Sequence, residues 1–372
     1  MLTAIGLMSG TSMDGIDAAM LRTDGENRVE FGPTAFFPYP AAFRHEIESG
    51  LETAKSLVRR DDRPGGLASL ERAITERHAE AVRALVDSAP PTWRDIQLVG
   101  FHGQTVLHRP RQALTVQLGD GELLANATGI PVVYDMRAND MLHGGQGAPL
   151  VPAYHAALAR SLPETYAAVS PVVFVNIGGI SNITYVGDGD PVAFDTGPGN
   201  ALIDQWVTRE GGVPFDADGA IASEGSVVRA VVDRYLDNPF FAKPGPKSLD
   251  RGDFTLAEVG GLELADGART LASVSAGAIL KSVEQLPATP RLWIVCGGGR
   301  KNPHILGDLV KGAATMQAEV ILAEDAGLRG DFIEAEAWAY LAVRSAKKMP
   351  LTFPTTTGCR SAVSGGMYAK PI

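Results

Sequence analysis

The feature that most constrains the fold of this chain is an order of elements that occurs twice. Apolar runs of strand length and amphipathic runs of helix length follow one another as β-β-β-α-β-α-β, first before residue 135 and again from residue 172. The first copy has predicted strands at 2–8, 16–21, 29–37, 96–101, 115–118 and 130–134, with helices at 41–59, 67–88 and 121–127. The second copy has strands at 172–177, 183–186, 191–194, 292–296 and 319–322, with helices from 200 and at 269–285, 304–312 and 333–348. No sequence repeat accompanies this order, so the two copies share topology alone.

This repeated order predicts two domains. A chain of 372 residues exceeds the size at which one hydrophobic core usually stops growing. In each copy the first strand leads into a glycine-rich polar turn, and two such domains facing a cleft are the architecture of actin-like and hexokinase-like ATPases. We predict an α/β protein of two ribonuclease H-like domains of actin/hexokinase type. Residues 1–137 with 350–372 are expected to form the first lobe, and residues 138–349 the second.

The first of these turns, residues 9–17, combines flexible, hydroxylated and acidic residues. Glycines at 10 and 15 allow close approach of the backbone to a ligand, and the hydroxyls and local N–H groups suit phosphate. Asp14 and Asp17 add oxygen atoms of the kind that hold Mg²⁺ or its waters. The plainer interpretation is a polar β-hairpin whose carboxylates only cap the turn.

Three further glycine-rich segments belong to the second copy. They are Gly178-Gly179 between two strands, 195–200 between a strand and a helix, and Gly297–Gly299 between a strand and a helix. A helix that begins after such a loop suits anions, because its first N–H groups lack partners. None of the segments has the spacing of a P-loop or of a Rossmann fingerprint. Each alone is more often a tight turn than a nucleotide site.

The overall composition limits the classes of molecule that this protein is expected to bind. The net charge of −10 argues against nucleic acid or an anionic membrane as the main partner, although a local basic pocket for an anionic small molecule is compatible with it. Two cysteines, Cys296 and Cys359, make neither a disulfide framework nor a metal-ligand spacing. The chain has no secretory signal pattern and no apolar run of membrane-spanning length, so we expect a soluble cytoplasmic protein.

Five motifs together resemble the anhydro-N-acetylmuramic acid kinase family, and the likeness covers nearly the whole chain in the same order. They are MSGTSMDG at 8–15, FHGQT at 101–105, GGQGAPL at 144–150, NIGGI at 176–180 and FDTGPGN at 194–200. The resemblance implies membership of the actin/hexokinase/Hsp70 ATPase superfamily. It implies an enzyme of cell-wall recycling that uses ATP and Mg²⁺ to open 1,6-anhydro-N-acetylmuramic acid with water and yields N-acetylmuramic acid 6-phosphate. It also suggests a homodimer.

The resemblance assigns the ATP side of the site. The first turn would wrap the β- and γ-phosphates, with Asp14 or Asp17 near the metal, directly or through water. Gly178 and Gly179 would face the phosphates from the second domain, and the glycines at 297–299 would let the backbone approach the adenosine. The expected ATP-binding residues are Gly10, Thr11, Ser12, Met13, Asp14, Gly15, Ile16, Asp17, Gly178, Gly179, Gly297, Gly298, Gly299 and Asn302.

The reaction that the resemblance implies needs a base for water, and Asp195 is the candidate. It follows an apolar run and precedes a Gly-Pro-Gly turn, so a rigid strand would present its carboxylate as the catalytic base. The alternative is that Asp195 caps the helix that begins near Asn200.

The sugar side is expected to involve His102, Gln104, Arg137, Asp140 and Glu334. The Arg137 guanidinium has a shape suited to the lactyl carboxylate, although a lone arginine is more often a surface residue. Glu334 opens a predicted helix, where a carboxylate usually only complements the helix dipole.

The sequence departs from the family pattern at two places, and two other functions are compatible with the same fold. The segment 247–251 reads Lys-Ser-Leu-Asp-Arg where the family usually has Lys-Ser-Thr-Gly-Arg, and Cys359 stands where a small residue is expected. The first alternative function is a kinase for another amino sugar, which would use the same cleft. A non-catalytic ATP-driven switch would not need Asp195 facing a sugar pocket.

Overall fold

The computed structural model describes residues 1–10, 12–249 and 252–372. Thr11, Asp250 and Arg251, on which parts of the predicted phosphate turn and of the 247–251 segment fall, lie outside the described residues. The chain divides into two compact units, residues 1–161 with 332–372 and residues 162–331. None of the helices in the described parts of the chain combines the length and apolar character needed to cross a bilayer.

The first unit is built on a seven-stranded mixed sheet. Its strands are β1 Leu2–Ser9, β2 Gly15–Thr23, β3 Val29–Pro38, β4 Leu98–Arg109, β5 Leu114–Leu118, β6 Val132–Tyr134 and β12 Met367–Ala369. Its helices are α1 Ala41–Ala54, α2 Leu67–Ser88, α3 Gly121–Thr128, α4 Ala138–Leu142, α5 Pro152–Arg160, α11 Ile333–Ala346 and α12 Pro354–Thr357. The order is β12-β6-β4-β1-β2-β3, with β5 paired to β4.

The second unit repeats the central part of this topology. Its strands are β7 Val172–Ile177, β8 Ile180–Val186, β9 Val192–Pro198, β10 Leu292–Cys296 and β11 Glu319–Leu322. Its helices are α6 Ala201–Gly211, α7 Ala220–Ser223, α8 Arg229–Leu236, α9 Leu264–Lys281 and α10 Pro303–Thr315. The order is β11-β10-β7-β8-β9, with antiparallel pairing among β7, β8 and β9 and parallel pairing among β7, β10 and β11. The predicted pair of ribonuclease H-like domains is confirmed by this shared order.

Helix α11 belongs to the first unit because it packs on the sheet of that unit. A Cβ on Gly6 would lie 1.8 Å from the Ala335 carbonyl oxygen, and one on Gly100 would lie 2.0 Å from the Trp338 carbonyl oxygen. The absence of side chains at these glycines lets α11 lie directly on β1 and β4. The expected lobe boundaries at 137/138 and 349/350 therefore differ from the observed units, because residues 138–161 and 332–349 pack with the first unit.

Two predicted strand ends also differ from the structure. Strand β4 does not stop at Phe101 but continues to Arg109, because it leaves β1 and pairs with β5 from Gln104 onward. Strand β9 likewise continues to Pro198, so Asp195 lies inside the strand and not at its end. Both extensions depend on a partner strand that local sequence does not reveal.

Candidate active site

The β1–β2 turn is held in place by Gln104. The Ser9 hydroxyl donates to Gln104 Oε1 at 2.6 Å, and Gln104 Nε2 donates to the Gly10 carbonyl at 3.0 Å. Ser9 Oγ also lies 3.1 Å from the Tyr39 hydroxyl. Because Gln104 is only 1% exposed and both ends of its amide are engaged, it fixes the turn and does not line a sugar site as the sequence suggested.

The turn exposes a small set of polar side chains. Ser12 and Asp14 are exposed, and the Ser12 hydroxyl donates to Asp14 Oδ1 at 2.7 Å. Met13 adopts a left-handed φ of 54°, which turns the chain back toward β2. Ile16 is a core residue inside β2, so its side chain does not face a nucleotide. Asp17 is half-buried within β2.

A cavity of about 450 Å³ adjoins this turn within the first unit. Three of the predicted sugar-side residues line it, namely His102, Arg137 and Glu334. The other lining residues are Met8, Ser9, Gly10, Ser12, Thr105, His108, Gln117 and Ala148. Sequence reasoning missed Thr105 and His108 because it ended β4 before them, and it missed Gln117 because it did not pair β5 with that part of β4. The available signal was the run of polar residues inside an otherwise apolar hairpin.

Arg137 is the central cation of the cavity. Its Nη1 donates to the Gly147 carbonyl at 2.9 Å, and its Nη2 lies 3.1 Å from His102 Nε2. Burial lowers the pKa of Arg137 to about 10, against the opposing effect of Glu334, so the guanidinium is charged at neutral pH. Within the described parts of the chain its buried Nε has no hydrogen-bond partner, which leaves one N–H for a ligand.

His102 completes this arrangement as a neutral ring. Burial, and then the neighbouring Arg137, hold the pKa of His102 well below its usual value. Its Nε2 is therefore the acceptor for the guanidinium, and the ring packs on Trp338 with centroids 4.6 Å apart. The Glu334 side chain is exposed. Protein atoms packed around its carboxyl group nevertheless displace water from it. This loss of solvation raises the pKa of Glu334, and the positive charge of Arg137 opposes the rise.

Asp140 does not belong to the cavity wall. It is 1% exposed, and its Oδ1 accepts hydrogen bonds from the hydroxyls of Thr352 at 2.6 Å and Thr357 at 2.7 Å. Its Oδ2 accepts from the Gly147 N–H at 2.7 Å. The predicted substrate contact of Asp140 is corrected accordingly. Its carboxylate orders the 144–150 loop that presents the Gly147 carbonyl to Arg137.

In the second unit the Gly178-Gly179 turn joins β7 and β8 and is tied to the start of α6. The Asn200 N–H donates to the Gly178 carbonyl at 2.8 Å, and the Gly199 N–H donates to the Gly179 carbonyl at 2.9 Å. A Cβ on Gly199 would lie 2.3 Å from the Gly178 carbonyl oxygen. The first amides of this helix region therefore order the turn and are not available to an anion.

The loop after β10 is rigid at its base and open at its tip. Gly297 has a φ of 77°, and Arg300 donates to its carbonyl at 3.1 Å. Arg300 in turn pairs with Glu324 at 2.8 Å and with Asp331 at 2.9 Å. Gly298 is exposed, and a Cβ placed there would meet no atom within 4 Å.

Asn302 has a different role from the predicted nucleotide contact. It is 7% exposed, and its Oδ1 accepts from the N–H groups of His304 at 3.0 Å and Ile305 at 3.3 Å. It is the N-cap of α10, which satisfies two helix donors that would otherwise lack partners.

Asp195 is a poorly solvated carboxylate whose one backbone donor among the described residues is Leu249. Its Oδ2 accepts from the Leu249 N–H at 2.8 Å. Burial raises its pKa to about 6, and the Leu249 N–H opposes that rise. Asp195 does not cap α6, whose N-cap residue Asn200 makes no side-chain capping bond. At neutral pH the carboxylate is ionised and is a stronger base than an ordinary aspartate.

The described residues contain no group of three or more histidine, cysteine or acidic side chains able to hold a metal. Mg²⁺ that enters with nucleotide phosphates needs only one or two protein carboxylates. The exposed Asp14 carboxylate meets that requirement better than the half-buried Asp17.

Two α/β units of ribonuclease H-like order, each with a glycine-rich turn after its first strand, define a protein of the actin/hexokinase ATPase superfamily. The chain belongs to the anhydro-N-acetylmuramic acid kinase family, whose family model matches residues 2–370. It is 55% identical over 369 residues to the anhydro-N-acetylmuramic acid kinase of Agrobacterium fabrum, with 99% of this chain and 98% of the relative covered. It is 57% identical to that of Brucella canis over the same shares of the two chains.

Among solved structures, a ROK hexokinase from Thermus thermophilus aligns with a TM-score of 0.44 and 14% identity, covering 93% of this chain and all of the other. That likeness is too low to argue from, and the fold assignment rests on the strand order of the chain itself.

Proposed function

We propose that this chain is an ATP-dependent kinase that opens 1,6-anhydro-N-acetylmuramic acid with water and phosphorylates O6. The products are N-acetylmuramic acid 6-phosphate and ADP, as cell-wall recycling requires. Family membership over residues 2–370 supports the activity. The observation that carries the mechanism is the half-buried Asp195 carboxylate in β9, which accepts from the Leu249 N–H at 2.8 Å and whose pKa burial raises to about 6.

In this mechanism Asp195 accepts a proton from water as the water oxygen bonds to the anomeric carbon. The bond between that carbon and O6 breaks, and the electron pair goes to O6. O6 then bonds to the γ-phosphorus, and ADP leaves. Because ring opening itself supplies the O6 nucleophile, one base is sufficient for both bond changes. The proton on Asp195 is released to solvent after turnover.

The cavity residues support the choice of an anionic sugar. The Arg137 Nε lacks a partner among the described residues and is buried, so a ligand carboxylate would satisfy it. The lactyl group of the anhydro-sugar provides such a carboxylate. Glu334 is exposed in the same cavity and can accept from a sugar hydroxyl. Gln104 and Asp140 contribute indirectly. Gln104 orders the β1–β2 turn, and Asp140 orders the 144–150 loop.

On the nucleotide side, the turn at residues 10–17 would bind the β- and γ-phosphates, and the Gly178-Gly179 turn would approach them. The exposed Gly298 would lie against the adenosine. Asp14 would hold Mg²⁺, with Asp17 contributing through water. When bound with ATP, the cation neutralises charge on the phosphate oxygens and so favours attack at the γ-phosphorus. We further propose a cytoplasmic homodimer, as the family likeness implies.

The test supplies Mg·ATP and the anhydro-sugar in ¹⁸O-labelled water, with N-acetylglucosamine and open N-acetylmuramic acid in parallel. We expect phosphorylation of the anhydro-sugar with solvent ¹⁸O at the anomeric carbon. The Asp195→Asn variant should bind ATP and sugar but lose turnover. Asp190→Asn, an exposed carboxylate in the turn before β9, is the matched control.

Other outcomes would identify the competing functions. Faster phosphorylation of N-acetylglucosamine would indicate another amino-sugar kinase. ATP hydrolysis without any sugar product would indicate an ATP-driven switch. Near-native turnover by Asp195→Asn would remove Asp195 from the mechanism.

A further inference from the structure

Lys247 is a buried cation that the proposed mechanism does not use. It is 9% exposed, and burial lowers its pKa to about 8. Lys243 lowers this pKa further, and Glu284 opposes the decrease. No carboxylate of the described residues lies within ion-pair distance of the Lys247 ammonium. Burying an unpaired charge is costly, so some other interaction must hold it there.

The ammonium is held by carbonyl groups and aromatic rings. Lys247 Nζ donates to the carbonyls of Phe240 at 3.2 Å and Phe241 at 3.3 Å. It also lies 4.6 Å from the ring centroid of Phe240 and 5.5 Å from that of Phe194. These contacts join the short 3₁₀ helix Pro239–Ala242 to the segment that carries Lys247.

That segment runs beside Asp195. The Asp195 N–H donates to the Lys247 carbonyl at 3.0 Å, and two residues later the Leu249 N–H donates to Asp195 Oδ2 at 2.8 Å. The side chain of Lys247 and the N–H that holds the base therefore belong to one stretch of three residues. Phe194, next to Asp195 in β9, forms part of the aromatic surroundings of the ammonium.

We propose that Lys247 is a positioning residue for the Asp195 base: its buried ammonium fixes the Lys247–Leu249 segment against β9, so that the Leu249 N–H remains on the Asp195 carboxylate. The inference rests on the proposed role of Asp195. The ammonium acts through the Leu249 N–H, because burial and that N–H are what shift the pKa of the Asp195 carboxylate. An apolar side chain of similar length would fill the same space but would not hold the two carbonyls.

The test compares Lys247→Met with Lys243→Met in the full-length chain. Lys243 is the matched control, because it also lies near the Phe240 ring, at 5.6 Å, but is exposed. We expect Lys247→Met to lower kcat about 10- to 100-fold, the effect of losing a hydrogen bond to a charged group, with KM values changed less than about threefold. The acidic limb of the kcat/KM profile should shift upward by about one pH unit, because the carboxylate loses its donor. Lys243→Met should leave both unchanged.

A second change addresses the donor itself and does not depend on the folding of the lysine variant. Leucic acid incorporated at position 249 replaces the amide by an ester and removes only the N–H. It should produce the same shift of the acidic limb, and adding Lys247→Met should shift it no further.

The possible failures are distinguishable. An active Asp195→Asn variant would overturn the proposed function. An inactive Asp195→Asn variant combined with an unshifted acidic limb in Lys247→Met would overturn the role of Lys247 alone. Loss of thermal stability in Lys247→Met with an unshifted limb would show a structural role only and would also contradict the inference.

Discussion

At the scale of single residues, Asp195 shows how a site can oppose stability. Its pKa in the folded chain is raised by burial from the usual 3.8 to about 6. The native carboxyl therefore binds its proton more tightly than the unfolded one. Between pH 4 and 6 the native state holds more protons, so the stability of the native chain falls as the pH rises through this window.

Asp195→Asn is accordingly expected to stabilise the protein while inactivating it. Near neutral pH the free energy of unfolding should rise by up to about 3 kcal/mol, since each pK unit corresponds to about 1.4 kcal/mol. Below pH 4 the difference should vanish. Urea unfolding at several pH values measures it, with Asp190→Asn as the control for removing an exposed acid. Equal stability of wild type and Asp195→Asn near pH 7 would contradict the pKa assignment.

At the scale of elements, the glycine-rich loop after β10 has a base that sets its conformation and a tip that is exposed. In the loop after β10, Gly297 and Arg300 set the conformation, while Gly298 is exposed at the tip. Gly298 does not require a left-handed φ and has open space around it. A substitution there tests ligand contact without a cost to folding.

Gly298→Val is expected to weaken ATP binding at least about tenfold, or about 1.4 kcal/mol, because the side chain would occupy the approach to the adenosine. The thermal unfolding midpoint without ligand should remain unchanged. Gly307→Val in α10, where a Cβ also meets no atom within 4 Å, is the matched control. Isothermal titration with ATP decides the matter, and unchanged affinity for Gly298→Val would count against the adenosine role.

At the scale of the whole molecule, each unit has its own core. One cluster of buried apolar residues lies within the second unit and includes Trp206, Trp293 and Phe240. Another lies within the first unit and includes Phe101, Ile47 and Leu85. The second unit is one continuous stretch of chain, whereas the first requires residues 332–372 to return to its sheet.

A fragment of residues 162–331 should therefore fold cooperatively, because all of its core residues are present. A fragment of residues 1–161 should not, because it lacks α11, which covers β1 and β4. Near-UV circular dichroism and urea titration of both fragments measure this difference. A non-cooperative transition in the 162–331 fragment, or a native-like one in the 1–161 fragment, would contradict the prediction.

The sequence by itself determined the order of the main strands, most of the longer helices and the family, because apolar periodicity and short motifs are local signals. It placed the helix that is α11 in the second copy, whereas the structure packs it on the sheet of the first unit. It also indicated His102, Arg137 and Glu334, which the structure brings into one cavity. Only the tertiary structure decided what the polar side chains do there. Gln104 bonds to a residue 95 positions away, and Asp140 to hydroxyls more than 210 positions away. Because a buried amide or carboxylate takes its role from the partners that satisfy its hydrogen bonds, no local pattern can show whether it holds a loop or faces a ligand.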